Sequence, residues 1–319
     1  MSRTKSKSQV KPIDFVERNN LKGILAIARD WIAMLLIIAF SIWADNIFVY
    51  FISIWLIAAF QLALGESLVH EAIHLNLFSN KSWHEKLQFL YAYPFLRTIY
   101  SYKEHHFDHH KDLWGEKDYI PENYNFLGLN KPQKSLFFIL VIQPLLGLSA
   151  IYFCVEILYN FNPLKLKNDK KLLISTIQMV LFWLIVIPLF YFSGYFHLLV
   201  LYWFIPLFWC YSGYSLFSEV EEHFNTLSGT RSNIDPFFNL LFHNGGYHYV
   251  HHICPTIPWY KLPEAHKALS VTYPNILLDI SNNVLETYQQ FKRDNSENQV
   301  TERFNKLDEL RAGYLPLTN

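Results

Sequence analysis

Five stretches of the chain are apolar enough to enter a bilayer: residues 24–43, 47–66, 135–159, 172–192 and 194–217. Each approaches the roughly 20 residues that cross a ~30 Å hydrocarbon core as a helix. Their apolar residues are massed rather than spaced at helical or strand intervals, the pattern of elements buried in lipid. Only Ala44-Asp45-Asn46 separates the first two stretches, and the last two adjoin at Ser193, so each pair predicts a tight helical hairpin. The middle stretch differs. Its centre, Gln143-Pro144-Leu145-Leu146-Gly147, interrupts a helix by removing a donor and adding backbone freedom. Lysines lie on both sides of it, within residues 81–134 and at Lys165, Lys167, Lys170 and Lys171, and positive loops favour the cytosolic side.

These features predict an all-α integral membrane protein. Four transmembrane helices form two hairpins, 135–159 is a re-entrant or interfacial helix, and both termini are cytosolic. The second helix has no proline before residue 75, so it should run over 47–74 and project about 10 Å beyond the membrane at ~1.5 Å per residue. The expected divisions are a cytosolic N-terminal tail at 1–22, a membrane domain at 23–284 and a cytosolic C-terminal tail at 285–319. Val300, Phe304, Leu307 and Leu310 suit an amphipathic surface helix in that last tail. Arg3, Lys5, Lys7 and Lys11 precede no short apolar core with a cleavage site, so a removable signal is not expected.

Composition adds two points. Of the 319 residues 51% are hydrophobic and 18% aromatic, and the formal net charge is zero, so no basic field favours nucleic acid. Cys154, Cys210 and Cys254 fit no metal or disulfide spacing.

Histidine is the informative residue, with 14 copies, of which only His197 falls inside an expected span. His70 and His74, at i and i+4, share a helical face. His106, His109 and His110 form an HxxHH pattern, repeated by His248, His251 and His252. Eight imidazoles exceed the needs of one ion and suit two. The isolated His84, His197 and His266 read as ordinary surface or core residues. Glu66 and Glu219 precede His70 and His223 by four residues, a spacing at which a carboxylate can hold the second ring nitrogen.

The motifs HEAIH at 70–74, HFDHH at 106–110 and NGGYHYVHH at 244–252 resemble the three histidine boxes of the membrane fatty acid desaturase and hydroxylase superfamily. Pro255, Pro258, Tyr260, Leu262, Pro263 and His266 resemble the run that follows the third box, and the likeness spans roughly residues 60–270. It implies a cytosolic helical cap holding two iron ions. It also implies nine ligands: His70, His74, His106, His109, His110, His223, His248, His251 and His252. His105 is an alternative to His106, Asn244 is a further direct or water-mediated contributor, and His243 is an open candidate. The resemblance further implies O2 as co-substrate and removal of hydrogen from an unactivated C–H bond. An acyl lipid desaturase is the first reading, and a hydroxylase or ketolase of a lipid, carotenoid or small amino-acid-derived substrate is the alternative. HEAIH-LNLF resembles the bacterial branch, including enzymes of the rhizobitoxine and rhizopine type, which implies a bacterial inner membrane. With no electron-carrier domain evident, a separate ferredoxin or cytochrome b5 type donor is expected.

Two rivals come from other classes. His70-Glu71-x-x-His74 matches HExxH of zinc membrane proteases, with Glu71 as general base, but leaves both HxxHH groups unexplained. A metal transporter or haem protein would place ionisable residues inside the spans, which are nearly clean.

Overall fold

Asn19 starts the first long helix, its Oδ1 accepting from the backbone N–H groups of Leu21 and Lys22 at 2.8 and 3.3 Å. This computed structural model describes residues 10–129 and 135–293, together with Leu310. The helix expected from Val300, Phe304 and Leu307 lies outside the described residues, while Leu310 is buried in the main core.

Helix α1 spans Asn20–Ala44 and ends at Asp45 in the left-handed conformation, φ 42°. Asn46 then accepts from Phe48 and Val49 N–H to open α2. A left-handed stop followed directly by an N-cap makes the tight hairpin that the sequence predicted. Helix α2, Ile47–Ile73, is continuous over 27 residues and carries His70 past the apolar run. One π turn, Ala63–Ser67, lies within it, just before His70. Helices α3, Ile99–Lys111, and α4, Ile120–Leu127, belong to the histidine-bearing cap.

The interrupted stretch forms two arms, α5, Phe138–Leu145, and α6, Ala150–Asn168, bent 88° from each other. Gly147 takes φ 72° at the bend, a conformation that favours glycine. Beyond α6's apolar part, Lys165 Nζ lies 3.0 Å from His105 Nε2 and 3.4 Å from Glu104 Oε2. Chain before and after the bend therefore meets beside the histidine-bearing α3. Helices α7, Lys170–Phe192, and α8, Phe196–His223, form the second hairpin. Among the described residues, four helices are thus long and apolar enough to cross a membrane. Outward-facing Trp43, Phe48, Ile185 and Phe192 are highly exposed, a surface suited to lipid rather than water.

After α8 the chain builds the rest of the cap. Its parts include a short parallel pair, β1 Ser232–Asn233 with β2 Ile280–Ser281, and helices α9 His248–Ile253, α10 Leu262–Leu269 and α11 Val284–Phe291. Arg231 is fully buried and clamps these parts to α8. Its Nε donates to Gln290 Oε1 at 2.7 Å, and its other nitrogens donate to the carbonyls of Glu221 and Phe224.

Gly65 lets α2 approach the 93–95 turn, because a Cβ there would stand 2.3 Å from the Phe95 ring. Gly65→Ala is expected to cost about 1–3 kcal/mol through overpacking. A thermal unfolding midpoint unchanged from wild type would refute this packing.

Candidate metal centre

Two neighbouring groups of imidazoles sit where α2, α3, α8 and α9 converge. His70, His74, His106, His110 and His251 form one, and His109, His223, His248 and His252 the other, each with its ligand atoms within 4.8 Å of one another. The HxxHH repeats divide between them. On α3 the i, i+4 pair His106 and His110 joins the first group while His109 joins the second. On α9 the corresponding pair, His248 and His252, joins the second group and His251 the first. Consecutive helical residues point about 100° apart, so one helix serves two adjacent centres. The His110 and His252 rings, 4.3 Å apart, mark the junction.

The donor set fits two metal ions. His106 Nε2 lies 3.0 Å from His74 Nε2 and 2.9 Å from His110 Nε2, and His110 Nε2 lies 3.0 Å from His251 Nε2. In the second group His248 Nε2 lies 3.0 Å from His223 Nε2 and 3.1 Å from His252 Nε2. A ring nitrogen has one lone pair or one N–H, aimed in one direction, and serves two such neighbours poorly as a hydrogen-bonding partner. Nitrogens about 2.1 Å from a shared ion and at right angles around it stand about 3 Å apart. His70 Nε2 is buried with no hydrogen-bond partner, its ring 4.2 Å from that of His251.

Burial, reinforced by neighbouring imidazoles, holds His106, His110, His248, His251 and His252 well below the usual imidazole range, so they stay neutral and able to ligate. A folded-state pKa below the unfolded value of about 6.5 gives stability that is present above pH ~6.5 and lost as pH falls below it. The metal-free protein should therefore melt at a constant temperature above pH ~7 and at progressively lower ones below pH ~6.5. A melting profile flat down to pH 5 would contradict neutral, buried histidines.

Several side-chain expectations change. Glu66 does not hold His70; its Oε2 accepts from Ser215 Oγ at 2.9 Å and Tyr211 OH at 3.2 Å. Glu219 does not hold His223 either, since it accepts from Asn123 Nδ2 at 3.2 Å while His223 Nδ1 meets the Gly229 carbonyl at 3.1 Å. The i–4 carboxylates lie one turn back, where facing helices claim them. Of the two alternatives at 105 and 106, His106 joins the first group, whereas His105 faces Lys165 and the Tyr159 ring, 4.9 Å away. Asn244 donates through Nδ2 to the Trp259 carbonyl at 3.1 Å. His243 pairs with Asp30 at 2.7 Å. His84 is a buried core residue that accepts from Phe78 N–H, and His197 is exposed.

One carboxylate that spacing did not reveal supports the centre. Asp118 Oδ1 lies 2.9 Å from His109 Nδ1, and the same carboxyl accepts from Trp114 and Ile120 N–H at 2.7 and 3.1 Å. Burial pushes its carboxyl up, but the His109 ring and these bonds outweigh that and hold it below the usual range. The protease reading fits poorly, because Glu71 is buried and its Oε2 accepts from Trp259 N–H at 3.1 Å.

A family model for fatty acid desaturases matches residues 45–280. Dihydrorhizobitoxine desaturase from Bradyrhizobium elkanii is 24% identical over 275 residues, covering 81% of this chain and 78% of that protein.

Proposed function

The chain belongs to the fatty acid desaturase family, and from that premise we propose that it is an O2-dependent, di-iron membrane desaturase whose two irons are held by the nine histidines of the paired groups. The observation that carries this reading is the convergence of those imidazoles into two adjacent buried sets. Neutral imidazoles in place of thiolates or a carboxylate cage suit first-row divalent metals such as iron. Bound iron would supply the oxidising power that an aliphatic C–H bond requires, since such a bond offers no acidic proton and no carbonyl to polarise.

The residues of the chain prepare that chemistry. Asp118 fixes the His109 tautomer, and the Gly229 carbonyl does the same for His223. Burial keeps water from the nitrogens. Desaturation removes two hydrogens from adjacent carbons. With O2, two further electrons and two protons it yields a double bond and two waters. A separate one-electron carrier, of ferredoxin or cytochrome b5 type, delivers those electrons from the cytosolic face, where both termini also lie.

The first substrate reading is a lipid acyl chain, which could reach the centre from the apolar bundle. A second, small-molecule reading is favoured by the related desaturase, whose name gives dihydrorhizobitoxine as its substrate. Expression in a host lacking desaturases separates them. New double bonds in membrane lipids, absent under anaerobic growth, would establish the first, while unchanged lipids with O2-dependent loss of a soluble metabolite would establish the second. A hydroxylated product in place of an alkene would overturn desaturation itself.

A further inference from the structure

Arg29 and Asp30 lie inside the first apolar stretch, where ionisable side chains are costly and mark a function. Asp30 is fully buried, on the same face of α1 as the buried Ile27 and Met34. A carboxylate so placed persists only with partners that offset its lost water. His243 Nε2 donates to Asp30 Oδ2 at 2.7 Å, and Arg29 Nε donates to Oδ1 at 2.7 Å. The Arg29 guanidinium then reaches the short helix Pro236–Leu241, where Nη1 and Nη2 donate to the carbonyls of Leu240 and Leu241 at 2.6 and 2.8 Å. Carbonyls at a helix end have no acceptor role within the helix, so the guanidinium caps it from outside.

The segment anchored in this way leads directly into the third histidine run. His243 and Asn244 both take the left-handed backbone conformation, φ 50° and 56°, which is uncommon outside glycine and has to be held by its surroundings. From this turn, hydrogen bonds run to two of the histidine-bearing segments. The Asn244 carbonyl accepts from Tyr247 N–H at 3.2 Å, and the Tyr247 carbonyl accepts from His251 N–H at 3.2 Å, at the start of α9. Asn244 Nδ2 donates to the Trp259 carbonyl, and Trp259 N–H donates to Glu71 Oε2, each at 3.1 Å, in the run that carries His70 and His74.

We infer that Arg29 and Asp30 are positioning residues of the metal centre: the first spanning helix holds, through His243, the turn that sets where His248, His251 and His252 stand. The inference rests on the reading of the histidine groups as a metal centre. A ligating nitrogen serves its ion only within about 0.2 Å of the proper distance, so a turn released from α1 would leave the imidazoles present but misplaced.

The full chain loaded with Co(II), whose visible absorption follows its coordination geometry, tests this. Asp30→Ala should shift the visible bands and release cobalt to a chelator at least ~3-fold faster than wild type, short of the roughly 10–100-fold effect of a group bonded directly to a ligand. Both are read at a temperature where circular dichroism gives wild-type helicity. Asp30→Asn, which retains an acceptor for His243 Nε2, should fall between wild type and Asp30→Ala. Arg29→Gln carries the test if Asp30→Ala does not fold, because the Arg29 side chain is 34% accessible and its loss leaves the Leu240 and Leu241 carbonyls to water. It should shift the bands and speed release in the same direction. Wild-type bands and release rates in folded Asp30→Ala, or in Arg29→Gln where Asp30→Ala does not fold, would reduce the pair to a stabilising contact and overturn the proposal. A wild-type chain that takes up neither cobalt nor iron would instead overturn the reading of the histidine groups, and the proposal with it.

Discussion

Replacing His106 and His251 together by alanine is expected to remove about one iron per chain and abolish O2-dependent desaturation. These two come from different helices, α3 and α9, and both enter the five-histidine group. Three imidazoles from α2 and the end of α3 would remain, arranged for a shared ion but lacking its far side. His109, His223, His248 and His252 are untouched and should retain the second ion. Iron per chain, read by mass spectrometry with a circular dichroism control for helicity, checks this. Full iron content in the double variant would mean that the grouping is wrong.

Asp118→Ala should act on the other half of the centre. The carboxyl holds His109 Nδ1 and also accepts from the N–H groups of Trp114 and Ile120, so removing it frees the ring and takes this acceptor from two backbone donors. Loss of such an outer partner typically weakens metal affinity by roughly 10–100-fold. Chelator titration should therefore strip one iron from the variant at about 10–100-fold lower chelator concentration, with the first group's iron unaffected. Identical chelation curves for variant and wild type would show that Asp118 merely caps its own loop.

Much of this was legible in the sequence because each signal was local. Massed apolar residues marked the spanning helices, Asp45 and Asn46 marked the first hairpin, and Pro144 with Gly147 marked the bend between α5 and α6. HxxxH and HxxHH spacing is a statement about helical faces, so eight of the histidines could be read directly, while His223 came only from the family resemblance. What spacing could not give was the partner across space. His105 and His106 fit the pattern equally well, and only the packing of α6 against α3, through Tyr159 and Lys165, turns His105 away. Glu66 and Glu219 sit at a helical interval from a ligand, yet Ser215, Tyr211 and Asn123 on other elements capture them. Asp118 reaches His109 from a loop, where no periodicity announces it.

The most direct measurement is the metal content of the full-length protein purified in detergent, by mass spectrometry, beside a variant with His109, His110, His251 and His252 changed to alanine. Two irons per chain, lost in the variant, is the expected result, since those four positions supply ligands to both groups. One zinc per chain that survives the substitution would contradict a di-iron centre and return attention to His70 and His74 alone.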